Sequence, residues 1–295
     1  MNPLLEWGLS QSDPAALTGA AAPAASAELL RDNKEFMDQL LKSDVQRMKD
    51  MIAEATNTEL EEEDRELALD ELEMLVESID NANDFATIKG IAPIMGLFND
   101  ASPVVQLNAA WVLGTCAQNN ERFTKAFLEE KGLDELVGLM RRSTHSGVLG
   151  KVTYAISGCV RASTDATTKA LELNAFETMI QLLASTTDVQ LKRKLAFLFG
   201  GILFEQHTHG DILQHLQDKK VYETLIGALQ VDDHDLQDKI FEALDAAFSS
   251  SPAAVAYIKQ GPLATQLTSW AKATKLTAEQ KASYSKTLAR AGLKA

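Results

Sequence analysis

The sequence predicts an all-α protein, a right-handed superhelical repeat solenoid forming a single elongated domain with a flexible N-terminal segment. Three observations carry that expectation. The 295-residue chain is rich in leucine and alanine, with 16 glycines, 7 prolines and 6% aromatics, which suits helices better than turn-rich sheet. Apolar residues recur at helical spacing from Glu28 onward. One helical pattern returns at a fixed period.

The period is legible in two registers. Trp111, Tyr154, Phe197 and Phe241 occupy equivalent places in AAWVLGTCAQN (109–119), TYAISGCVRA (153–162), AFLFGGILFE (196–205) and KIFEALDAAF (239–248), separated by 43, 43 and 44 residues. Six residues earlier, Val105, Val148 and Leu191 match as well. Ile91, Leu133, Phe176 and Tyr222 open the preceding helix of each unit, at spacings of 42, 43 and 46. A helical repeat of this length is of the armadillo/HEAT kind. Each unit is expected to hold a short helix, a second helix and a longer third one. None can bury its apolar face alone, so neighbours stack.

From the N-terminus, residues 1–30 read as a flexible segment. Leu4, Leu5, Trp7 and Leu9 form a short apolar cluster, and residues 15–27 then hold eight alanines, broken by Gly19 and Pro23. That stretch has no amphipathic face with which to offset its ordering entropy. Trp7 has two readings: it folds back on the body, or it is part of a short linear motif. Residues 31–59 read as capping helices, with Val45, Met48, Met51, Ile52 and Ala55 at 3/4 spacing. Glu59 to Asp80 reads as one strongly acidic helix, the last of a degenerate first repeat. Repeats fill 60–250. A cap fills 251–295, with helices expected near Ala253–Gln260, Leu263–Ala271 and Ala278–Ala291.

Charge and motifs exclude several functions. A net charge of −14 argues against nucleic acid and against docking on anionic lipid. There is no run of eighteen apolar residues to span a membrane, and MNPLLEWGLS lacks the basic start of a signal peptide. Cys116 and Cys159 hold equivalent places in neighbouring units, where helices pack about 8–10 Å apart. Disulfide Cα atoms lie within about 7 Å, so both cysteines are expected to be buried apolar groups. SGVLGKVT (146–153) has neither the glycine spacing nor the Ser/Thr of a phosphate loop. His207 and His209, near Asp211 and His215, fall short of a zinc ligand set. No catalytic constellation emerges. The expectation is a protein that is not an enzyme, with no metal, no cofactor and no direct nucleotide binding.

Solenoids bind partners on the face lined by the last helix of each unit. Counting the bulky register residue as zero, positions −3, +1, +4 and +8 share a side. They give Asn108, Val112, Thr115 and Asn119; Lys151, Ala155, Gly158 and Ala162; Lys194, Leu198, Gly201 and Glu205; and Asp238, Glu242, Asp245 and Ser249. In the first repeat the face runs through Asp70, Glu77 and the turn Asn81–Ala82–Asn83. The glycines allow either close approach by a partner or packing on the preceding helix. Armadillo proteins that hold extended peptides place an asparagine at +4. Thr115, Gly158, Gly201 and Asp245 stand there instead, which favours a folded-domain partner.

LEMLVESIDNANDF (72–85), LGTCAQNN (113–120), YAISGCVRAS (154–163), LKRKLAFLFGGIL (191–203) and the opening LLEWGLSQS together resemble a known family. It comprises the small armadillo proteins that act as nucleotide exchange factors for heat-shock protein 70, the Fes/HspBP type. The resemblance implies a concave face that embraces one lobe of the chaperone's ATPase domain, accelerating ADP release and hence client release. It maps contacts onto Ala82, in the DNAN turn Asp80–Asn83, and onto Lys194. It also makes the N-terminal segment with Leu4, Leu5 and Trp7 a release segment; the missing signal sequence points to the cytosol, with the nucleus also open, and the capped solenoid ends lead to the expectation of a monomer. The alternative is an armadillo adaptor or scaffold for a different protein.

Overall fold

The computed structural model describes residues 43–204, 210–229, 232–259, 261–273 and 276–294. Residues 1–46 and 47–295 form separate units, and only 43–46 of the first are described. Leu4, Leu5, Trp7, Glu205, His207 and His209 therefore lie outside the described residues.

Among the described residues there are seventeen α-helices and no strand. Two helices, α1 (Asp44–Thr56) and α2 (Glu62–Val76), precede the regular units. The first unit comprises α3 (Ile79–Thr87), α4 (Ile91–Gly96, continued by a 3-10 turn) and α5 (Pro103–Ala117). The second comprises α6 (Glu121–Glu129), α7 (Gly132–Arg142) and α8 (Ser146–Ala162). The third comprises α9 (Thr164–Glu172), α10 (Ala175–Ser185) and α11 (Val189–Phe204). The fourth comprises α12 (Gly210–Asp218), α13 (Val221–Ala228) and α14 (His234–Ser250). The C-terminal residues add a fifth triplet, α15 (Pro252–Lys259), α16 (Pro262–Ala273) and α17 (Ala278–Arg290).

The third helices stack in chain order, α2 on α5 on α8 on α11 on α14 on α17, and form a ladder. Every ladder helix from α5 on starts at a capping side chain. Ser102 Oγ accepts from Val104 and Val105 N–H, and His145 Nδ1 from Val148 N–H. Asp188 accepts from Leu191 N–H at 3.1 Å, and Asp233 from Leu236 N–H at 2.8 Å. Thr277 forms a capping box with Gln280. These caps recur at the repeat period, and each is worth about 1 kcal/mol.

The turn between the first two helices of a unit is set differently. Lys89, Lys131, Asn174 and Lys220 all adopt positive φ, between 52° and 65°. Each stands two residues before the second register of Ile91, Leu133, Phe176 and Tyr222. Left-handed geometry is costly for a lysine. It persists because the burial of that register fixes where the next helix starts, all four residues being at most 1% exposed.

One expectation fails. Glu59–Asp80 is not a single helix: α2 stops at Val76, and α3 starts at Ile79 after an extended Ser78. The Asp80–Asn83 segment is therefore the first turn of α3, not a loop. Asn81 Nδ2 donates to the Leu75 carbonyl at 2.9 Å and ties the new helix to the end of the old one.

Candidate functional site

The exposed face of the ladder carries the register residues themselves. Trp111 and Tyr154 are half-buried and Phe197 is 54% exposed, whereas Val112, Ala155 and Leu198 at +1 are at most 1% exposed. Successive helical residues turn by about 100°. The open arc thus runs near positions −3, 0, +4 and +7, rotated from the expected −3, +1, +4, +8 set, with Asn108 at −3 and Gly158 at +4 buried within it.

Several expected site residues are buried. Asn108 is 4% and Ala82 1% exposed. Gly158 is buried beneath Gln118, whose Nε2 lies only 2.4 Å from where a Cβ would stand. Gly158 is therefore a packing glycine and leaves no open surface. Asn81 and Asn83 are half-buried in the first turn of α3. Asn119 is exposed with φ at 51°, and half-buried Gly201 faces the Arg161 side chain, 3.6 Å from its Cβ position.

Lys151 and Lys194 do meet at the ladder, while half-buried Thr115 stands apart from them beside Glu73. Lys151 Nζ sits 2.9 Å from the centroid of the Trp111 ring, a cation–π contact. Lys194 lies across Gly150, whose missing Cβ would stand 2.8 Å from its Nζ. Trp111, Gln118, Tyr154, Phe197, Arg161 and the two lysines line a cavity of about 210 Å³ across α5, α8 and α11. Gln118, Arg161 and the aromatic rings were not expected there. The clue was available in Phe197 and Phe204, two large apolar residues seven apart on a helix face that also carries Lys194.

Burial first and neighbouring Lys194 second bring the Lys151 ammonium down to about 8, against the opposing pull of Glu73 and Asp70. Toward the N-terminal end of the ladder the sign reverses. Thr115 Oγ1 donates to Glu73 Oε1 at 2.7 Å, and the Glu73 carboxylate is only 8% exposed. Glu73 and Glu77 line a second cavity of about 300 Å³ with Ile79, Ala82, Thr115 and Asn119. Gln118 and Tyr154 are shared by both cavities. Burial is the main cause that raises the Tyr154 hydroxyl above the usual tyrosine range.

Chemically reactive arrangements are a poor match. Both cysteines are free and fully buried, and burial drives the Cys159 thiol up to about 12 and Cys116 well above its ordinary value. Neither is an activated thiolate. No group of three or more metal-ligating side chains occurs among the described residues, nor does any described helix have the length and apolarity to cross a membrane. What the site offers is a ridged aromatic surface with a cationic and an anionic half.

Comparison with known proteins fits this surface into a family. The family model described as nucleotide exchange factor Fes1 matches residues 1–85, and that of the SIL1/FES1/HPBP1 C-terminal domain matches residues 81–225. The Hsp70 nucleotide exchange factor FES1 of Mycosarcoma maydis is 30% identical over 212 residues, 68% of this chain and 54% of that protein. The chain thus spans about half the length of that relative. The protein of the same name from Gibberella zeae is 32% identical over 167 residues, 55% of this chain and 76% of that protein. The chain belongs to the Fes1 family of Hsp70 nucleotide exchange factors. As for fold, a designed armadillo repeat protein solved with a (KR)4 peptide superposes on this Fes1-family chain with a TM-score of 0.69 and 15% identity, covering 84% of this chain and 99% of the design. Nucleotide exchange factors of the Fes1 family are co-chaperones and not catalytic enzymes in the usual sense.

Proposed function

We propose that this protein binds the ATPase domain of a cytosolic heat-shock protein 70, accelerates ADP release and so promotes client release. The observation that carries the reading is the match of two adjoining family models across residues 1–225, with the open ladder face lying within them. The contact surface is proposed to be the open part of that face: Thr115 and Asn119 on the N-terminal side, Lys151 and Lys194 at the centre, and Gly201 beyond; Glu205, outside the described residues, is proposed to belong to it as well. Asn81, Ala82 and Asn83 contribute through the first turn of α3. Leu4, Leu5 and Trp7 are proposed to belong to a segment that discourages rebinding of the client. The protein is proposed to act as a monomer, without cofactor, nucleic acid, membrane or direct nucleotide contact.

The mechanism follows from linkage. A protein that binds the opened, nucleotide-poor ATPase domain better than the closed ADP form shifts that equilibrium toward opening. Reciprocity then requires ADP to weaken the complex by the same factor. Calorimetric titration of the ATPase domain, with and without saturating ADP, checks this. Weaker binding in ADP is the expected result, and equal binding in both states would contradict the proposal. Substituting exposed Lys194 by Ala is expected to weaken the nucleotide-free complex with no loss of helicity.

A further inference from the structure

We infer that the N-terminal end of the ladder, formed by the outer side of α2 and the groove between α1 and α2, docks a basic amphipathic helix of a partner protein. The groove shares no lining residue with the two cavities of the open ladder face, so the inference is independent of the proposed function.

Packing is the first support. Ladder helices α5, α8, α11 and α14 each have a ladder neighbour on both sides, whereas α2 has only α5. Leu69, Leu72 and Val76 of α2 are buried. Its outer side instead carries Leu67 at 59% and Met74 at 70% exposure. Only five large apolar side chains are exposed among the described residues, and Leu67, Met74 and Ile79, at or just beyond α2, are three of them. Apolar surface gathered in this way and rimmed by polar groups marks an interaction site. Leu67 also lines a groove of about 440 Å³ toward α1, together with Met51, Leu60 and Ala68. A solenoid helix buries its apolar surface only against its stacking neighbours, so a further helix laid on α2 completes the stack.

Charge selects the occupant. Leu67 and Met74 stand seven residues apart, two helical turns, and so lie on one line along α2. By the same geometry Glu63 and Asp70 border that line on one side and Asp64 and Glu71 on the other. Glu54 of α1 joins the second border across the groove. All five carboxylates are exposed, and among the described residues none has a cation within 4.0 Å. Arg65, the one cation of α2, is turned inward: it is 8% exposed, donates from Nε to the Ala55 carbonyl at 3.0 Å and pairs with Asp100. The outer side of α2 is thus an apolar strip between two anionic borders. Its complement is a helix with apolar anchors at i, i+3 or i+4 and i+7, flanked by lysine or arginine. The outer side of α2 from a second copy would set carboxylates against carboxylates, which disfavours it as the occupant.

The test is fluorescence anisotropy of two labelled leucine–lysine peptides of about 18 residues, long enough for five helical turns. They share one composition; the first gathers its leucines on one helical face and the second is scrambled. They are titrated at two salt concentrations with the full chain, Leu67→Ser/Met74→Ser and Glu54→Gln/Glu71→Gln. Glu121→Gln/Glu129→Gln on α6 is the charge control, and Phe204→Ser is the control for exposed apolar surface elsewhere. Circular dichroism checks that each variant folds. The unmodified chain is expected to bind the amphipathic peptide at least about tenfold more tightly than the scrambled one. Leu67→Ser/Met74→Ser should lose that preference, Glu54→Gln/Glu71→Gln should bind more weakly with a shallower salt slope, and both controls should match the unmodified chain. Equal binding of the two peptides, or an undiminished preference in folded Leu67→Ser/Met74→Ser, would overturn the inference. An equal loss in either control would overturn it too, as general stickiness or net charge. Self-association of the unmodified chain in sedimentation that Leu67→Ser/Met74→Ser removes would give the face to a second copy and overturn it as well.

Discussion

The ring of Tyr284 stacks on that of Phe241, centroids 3.8 Å apart and planes 10° from parallel. Phe241 is the fourth register aromatic, and Trp270 closes over it at 5.5 Å. The ladder is therefore covered at α14, whereas Trp111, Tyr154 and Phe197 stay open. The acidic residues expected to extend the binding face are engaged in the same contact. Asp238 accepts hydrogen bonds from the Tyr284 hydroxyl and from Gln280 Nε2, and Asp245 accepts from Thr287 and pairs with Arg290. Arg290 of the cap thus has an internal use.

Tyr284→Ala is expected to destabilise the protein by about 3–5 kcal/mol, the cost of removing a large buried aromatic. Tyr284→Phe keeps the stack and removes only one donor to Asp238, so about 1–3 kcal/mol is expected. Urea unfolding of the two variants distinguishes them, and equal losses would mean that the stack contributes little.

Gly132 is set by its neighbour. A Cβ there would stand 2.1 Å from the Phe127 ring, and one at Gly90 would stand 2.4 Å from Phe85. Five residues before the equivalent Ala175 the ring is replaced by Ala170, which leaves room for a methyl group. Gly132→Ala is expected to cost about 1–3 kcal/mol by overpacking. In a Phe127→Leu background the same substitution should cost less, and a double-mutant cycle with no coupling would refute this pairing.

Lys151 makes stability depend on pH in a predictable direction. Its pKa lies near 8 in the folded protein, below the unfolded value near 10.4. The folded state therefore binds fewer protons between those values, and stability from this group rises with pH across that window. Below pH 8 the cost of the buried charge is fully present. Lys151→Met should stabilise the protein most at pH 7, with the difference shrinking as pH climbs from about 8 toward 10.4. Thermal melts of both proteins from pH 7 to 10.5 check the trend, and a pH-independent difference would contradict it.

Much of this was legible in the sequence because burial repeats with the chain. The register of Trp111, Tyr154, Phe197 and Phe241 located the ladder, and the expected cap helices agree with α15, α16 and α17 to within two residues. The turns at Lys89, Lys131 and Lys220 were hidden because lysine is no signal for left-handed backbone. The break at Glu77–Ser78 was hidden because no proline or glycine marks it. The site was legible only in part. Lys151, Lys194 and Thr115 were placed at the ladder, but Asn108 and Ala82 were expected open and are buried, and of the two readings of Gly158 it is packing on the preceding helix that holds. A periodic pattern says that an aromatic recurs. Whether it faces core or solvent depends on the helix stacked beside it, as Phe241 under Tyr284 and Phe197 without such a cover demonstrate.

Release of fluorescent ADP from a cytosolic heat-shock protein 70, followed by stopped flow with and without this protein, tests the central claim most directly. A large acceleration that falls when Lys151 and Lys194 are both replaced by methionine is the predicted result. An unchanged release rate at saturating concentrations of the folded protein would contradict it.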